Sequence, residues 1–179
     1  MSAARPSRRG IWLATAILAL ALVVALATVW YNAGQQQRCR QLWGTDALRL
    51  IRHAPTVHAW RVAPAGADES MAAIKETVDE VVRFRDADWR LFERREISEA
   101  RGLSHIRQAL SHDRVFDWKY ADADGPVIWQ YAIRFTGADG RATLLFSFDP
   151  PRVAQIENAA IASIAPAAEG FQAFLTEQF

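Results

Sequence analysis

The chain has 179 residues, 51% of them hydrophobic, a formal net charge of +1 and a single cysteine. Charges of both signs are mixed along it, which argues against a basic stripe for a phosphate backbone and so against nucleic acid as a partner. One cysteine allows neither an internal disulfide nor a thiolate metal cluster, so stability must come from packing.

Residues 1–10 are a basic tail carrying Arg5, Arg8 and Arg9. Residues 11–31 are uncharged and mostly Leu, Ala, Val and Ile, and a helix of about 20 such residues spans the roughly 30 Å of a bilayer core. A single transmembrane helix is predicted there, with Trp12 at one membrane interface and Trp30 and Tyr31 at the other. The competing reading is a cleaved signal peptide ending near Ala25-Leu26-Ala27, against which stand the length of the run and its aromatic end. Arg38, Arg40 and Arg49 follow the run, so the charge bias is nearly balanced. The signal-anchor form, a basic tail leading into the first apolar segment, places the C-terminal domain outside the cytosol, on a single-pass anchor in the cytoplasmic (inner) membrane.

Residues 32–55 read as a juxtamembrane linker with a short helix at Asp46–His53, and 56–179 as one globular domain. Roughly 145 residues after the apolar run suffice for one core. Thr56–Val62 has strand composition and is ended by Pro64 and Gly66. Met71, Ile74, Val78, Val81 and Val82 recur at helical spacing to about Phe84, although the last turn also suits an extended chain. Trp89–Ile97, with five charges, suits an edge or two-sided strand. Ser98 is the expected N-cap of a helix with Leu103, Ile106, Arg107 and Leu110 on one side, ending near His112.

Phe116, Trp118 and Tyr120 alternate with Asp117 and Lys119, and residues 122–126 supply a turn. Val127, Trp129, Tyr131, Ile133 and Phe135 alternate again. After Gly137-Ala138-Asp139-Gly140, so do Ala142, Leu144, Phe146 and Phe148, which predicts an antiparallel hairpin with one aromatic face buried. Residues 153–164 fit a helix or a small hairpin around Asn158, the hairpin being favoured, and Pro166 opens a last helix with Phe171, Phe174 and Leu175 apolar. The predicted class is α+β: a transmembrane helix followed by a mainly antiparallel sheet of five to seven strands with helices on one face.

The order of elements, a strand at Thr56–Pro64, a helix, then the hairpin at Ala132–Asp149, resembles small uncharacterised bacterial envelope proteins. Those relatives carry paired cysteines in the second hairpin strand, where this chain has Phe146-Ser147-Phe148-Asp149. The resemblance implies an architecture and no activity.

Candidate sites are sparse. His105 and His112 lack further ligands for a metal. His58 shares a strand face with Trp60 and Val62, as a half-buried imidazole does. Asp122, Asp124 and Gly125 lack the closing glutamate of a calcium loop. Asp149, before Pro150-Pro151, stands at a strand end, and His58 with Asp149 is the weak candidate pair for a hydrolase or transferase. Trp118, Trp129, Tyr131 and Phe146 form an aromatic stripe that reads as core or as the lining of an apolar ligand pocket in a sensor. Cys39, just past the apolar run, offers a way to join two copies. No cofactor is implied. The reading that follows is a membrane-anchored, non-enzymatic binding or interaction module of the bacterial cell envelope, with a protein partner expected there.

Overall fold

The computed structural model describes residues 8–34, 37–66, 78–119 and 126–179. The chain divides into two compact units after Gln37. The first is helix α1, Arg8–Gly34, whose described side chains are exposed and, except for Thr28, apolar around the whole circumference, among them Trp12, Leu18, Leu22 and Leu26. Its uninterrupted described run, 16–28, is shorter than the about 20 residues that a span requires. Among the described residues, then, no helix is long and apolar enough to cross a membrane. The transmembrane helix expected at 11–31 is accordingly not supported at that level. Of its predicted interfacial residues, Trp12 is 76% exposed, and the side chains of Trp30 and Tyr31 lie outside the described set.

The second unit is an α+β domain built on a seven-stranded antiparallel sheet in the order β2-β3-β1-β4-β5-β6-β7. The strands are β1 (Thr56–Pro64), β2 (Val78–Phe84), β3 (Ala87–Glu96), β4 (Tyr131–Gly137), β5 (Gly140–Phe148), β6 (Pro151–Gln155) and β7 (Ile161–Ser163). Helices α2 (Gln37–Trp43), α3 (Thr45–His53), α4 (Leu103–Leu110) and α5 (Ala168–Gln178) bury their apolar residues on one sheet face. There Trp43, Ile51, Leu110, Phe171 and Leu175 meet Val57, Ile133, Phe135, Leu144 and Phe146. The other face carries a second cluster of Trp60, Val62, Val82, Phe84, Trp89, Leu91, Trp129, Leu145 and Ala154.

Within the stretch 32–55, read as a juxtamembrane linker with a short helix, helices α2 and α3 both contribute to the core. Trp43 Nε1 donates to the Leu110 carbonyl at 2.9 Å, Asn158 Nδ2 donates to the Leu42 carbonyl at 2.8 Å, and Arg107 closes the C-terminal end of α3 by donating to Ala54 O at 2.7 Å. Cations suit that end of a helix, where carbonyls lack intrahelical partners.

Several expected elements change type. Residues 78–84, read as the end of a helix, form edge strand β2, since Val82 and Phe84 also fit a period of two and valine favours the extended chain. The preceding residues of that predicted helix, 67–77, fall outside the described set. Strand β3, read as an edge or two-sided strand, lies between β2 and β1, yet the β2 ladder reaches only 87–92; beyond it Arg95 and Glu96 pair with β1, and the Arg94 amide donates to the Asp79 side chain. Ser98 does not cap α4, which starts after Gly102 in the left-handed region (φ 94°). Instead its hydroxyl accepts from the Val57 amide and donates to Glu96.

Of the predicted strand at 116–120, the described residues follow a 3₁₀ turn at Asp113–Val115 and make a single bridge, Asp117 to Ser163, with Phe116 and Trp118 both turned to the helical core; Tyr120 lies outside the described residues. The strand expected from Val127 begins at Tyr131, and the turn predicted at 122–126 lies mostly outside the described residues. The β4–β5 hairpin, the small hairpin β6–β7 and the final helix occur as predicted.

Candidate functional site

The hairpin fixes the site's first row. With Gly137 opposite Gly140, Arg134 must face Thr143, and β1 brings His58 opposite Arg134 on the other side. The next row outward is Thr56, Thr136 and Arg141. All six positions share the face of Trp60 and Leu145, away from the helices, since side chains alternate along a strand. A cavity of about 350 Å³ opens there, closed on the far side by Arg94 of β3 and by Asp79 and Glu80 of β2.

A bulge builds that far wall. The register of β1 on β3 slips between Ala59 and Arg61, and Glu93 takes a positive φ of 55°. The extra residue twists β3 locally and lets Arg94 aim across β1, as bulges near sites do. Its guanidinium then donates to His58 Nε2 at 2.8 Å and lies 5.9 Å from the Trp60 ring centre, while its backbone amide donates to Asp79 at 3.1 Å.

Arg134 is the strut of the cavity. Nε donates to Thr143 Oγ1 at 3.0 Å, and the two terminal nitrogens donate to Glu80 at 2.6 and 3.1 Å, a bidentate pair. The same guanidinium stands 5.0 Å from the Trp60 ring centre, so two cations contact one indole. Hydrogen bonding to Arg134 holds the Glu80 carboxyl below its ordinary pKa. Burial first, then the charges of Arg94 and Arg134, lower the pKa of His58, with Glu96 opposing. A neutral imidazole is also what Arg94 requires, because Nε2 must accept its hydrogen bond. The ring that would serve as a base is thus occupied by a guanidinium.

The predicted site residues do not assemble as grouped. His58 lies in this cavity, but Asp149 lies beyond the end of β5, about 20 Å along the strand from Thr143 at the usual rise. No proton relay joins them, and the His58 and Asp149 pairing is set aside. The aromatic stripe divides: Trp118, Tyr131 and Phe146 pack on the helical face, whereas Trp129 packs on the opposite face against Phe84 at 5.7 Å. The alternation breaks between Trp129 and Tyr131, where β4 begins, so the four line no common pocket. His105 is exposed at the groove between α4 and α5, and His112 lies in the turn after α4.

Cys39 is fully buried and is not presented to a second copy. Its amide and that of Arg38 donate to Asp113, and burial together with that carboxylate pushes the thiol pKa well up. A membrane-impermeant maleimide should leave Cys39 unmodified in the folded chain and label it fully in denaturant; mass spectrometry reads both. Rapid labelling of folded protein would overturn this packing.

Arg94, Arg134, Arg141 and Glu80 were not singled out from sequence. Only the Arg134 and Thr143 pairing was accessible, from the turn at 137–140. No protein-family model matches the chain, no curated protein matches it, and no solved structure matches it.

Proposed function

We propose that this chain is a membrane-anchored, non-enzymatic binding module of the bacterial cell envelope. The observation that carries the anchor is helix α1, whose described side chains are exposed and, apart from Thr28 bonded back to the Val24 carbonyl, apolar on every side. A helix apolar all round is at ease only inside a large protein or in lipid. The continuous uncharged sequence from Ile11 to Tyr31 extends that character to the length of a bilayer. The signal-anchor arrangement supports a C-terminal domain held outside the cytosol.

Binding, rather than turnover, is favoured by the cavity over Trp60. Its central arginine is saturated by Glu80 and Thr143, and its imidazole accepts from Arg94, so the lining is locked into a charged cradle. Groups held this way orient a ligand well and move protons poorly. Membranes from cells making the full chain test the anchor: the protein should stay in the pellet after alkaline carbonate washing and enter solution in nonionic detergent. Recovery in the carbonate supernatant with the first 31 residues intact would sink the tethered reading.

A further inference from the structure

We propose that the cavity over Trp60 holds a phosphodiester group, clasped between Arg94 of β3 and Arg141 of β5. This assignment rests on the binding reading above and adds the chemistry of the ligand. Three features of the cavity carry it. The first is charge. Arg94, Arg134 and Arg141 face Asp79 and Glu80 around a neutral His58, which leaves one positive charge for a monoanion.

The second is direction. Strands β1 and β4 separate β3 from β5 by about 14 Å across the sheet, and the register offsets Arg94 from Arg141 by about four residues along β1, so their backbones stand roughly 19 Å apart. Side chains reaching inward from both walls meet an anion from two sides. A carboxylate is satisfied by one planar guanidinium fork, whereas the two non-bridging oxygens of a tetrahedral diester point apart and can take one arginine each. The third is availability of donors. Arg134 has its three nitrogens engaged, but Arg94 spends one nitrogen on His58, and the guanidinium of Arg141, whose field reaches Glu80, donates to no other described residue. Thr56 and Thr136 add hydroxyls on the floor. The volume, about 350 Å³, suits a headgroup-sized ligand.

The source of the diester is either a lipid headgroup or a soluble glycerophosphodiester, and the test separates them. Full-length protein in nonionic detergent is titrated calorimetrically with glycerophosphoglycerol. It is also titrated with dihexanoylphosphatidylglycerol and with dihexanoylglycerol, which lacks the phosphate. Saturable binding of the soluble diester, or binding of the phosphatidylglycerol but not of the phosphate-free lipid, supports the proposal when R94Q and R141Q each weaken it at least tenfold. The control R83Q, on the opposite face of β2, should bind as the parent does. Because Arg94 and Arg141 are exposed, both variants should keep the parent's unfolding midpoint, which separates lost binding from lost fold.

Absence of binding in both formats, or binding that survives both substitutions, overturns the site. Equal affinity for acetate overturns the diester assignment while the binding-module reading stands. Release of glycerol from the diester by the parent, lost in R94Q, supports the site and overturns the non-enzymatic reading instead.

Discussion

Phe146→Ala is expected to cost about 4 kcal/mol of unfolding free energy, the largest single effect in the domain, because truncating a buried phenylalanine removes transfer energy and leaves a void. Phe146 is 0% exposed near the C-terminal end of β5, and its ring centre lies 5.6 Å from that of Phe171, so it joins the sheet to α5. Val153 and Tyr131 occupy the neighbouring register positions, which leaves little room for collapse into the space. Urea unfolding in nonionic detergent checks this: the midpoint should drop sharply with an unchanged slope. Phe146→Leu should lose roughly 1 kcal/mol, since most of the volume is kept. The same pair of variants addresses a sensor pocket beneath the sheet. A phenylalanine lining an empty ligand cavity would tolerate truncation, so a cost under about 1 kcal/mol for alanine would revive that reading.

How much of this was legible beforehand depended on whether the signal was local. The β4–β5 hairpin declared itself because alternation and a glycine-flanked turn agree with each other. The last hairpin and helix were readable for similar reasons around Asn158 and Pro166. Residues 78–84 were not, since Val78, Val82 and Phe84 satisfy either period and only pairing with β3 decides. Trp129 was assigned to the wrong face because alternation was extended through residues 126–129, before the backbone bonding that starts at Gln130. Similarly, Cys39 reads as a thiol open to a second copy because nothing nearby in sequence announces Asp113 as its partner.

The cavity was hidden by a sound local rule applied too far. Arg134 and Arg141 fall on the polar side of their strands, which a half-buried antiparallel sheet normally gives to water. Here that side carries a second apolar cluster, and charged residues at its margin become a lining. The pairing of Arg134 with Thr143 follows from the turn, but that of β1 with β4 spans most of the domain and leaves no mark in local pattern. The bulge at Glu93 that aims Arg94 is equally silent, because glutamate carries no preference for positive φ.

Arg134→Ala should cost about 2 kcal/mol, and the cost should vanish in acid. Arg134 has a side chain only 12% exposed, and its removal strips Glu80 of a bidentate partner and Trp60 of its nearer cation. Breaking a buried pair costs roughly 3 to 5 kcal/mol, but Glu80 is 35% exposed and water recovers part of the loss. The sign with pH follows from Glu80, whose folded pKa lies below its ordinary value of 4.5. Its contribution is complete above that value and disappears as pH falls through the lower, folded one. Glu80→Gln, which keeps a single acceptor, should therefore lose about 1 kcal/mol at neutral pH and little in acid. Denaturant unfolding between pH 7 and pH 3 reads the effect as convergence of the parent with both variants. Curves that stay parallel down to pH 3 would mean that Arg134 stabilises the sheet through its aliphatic stem over Trp60, with the ion pair contributing nothing.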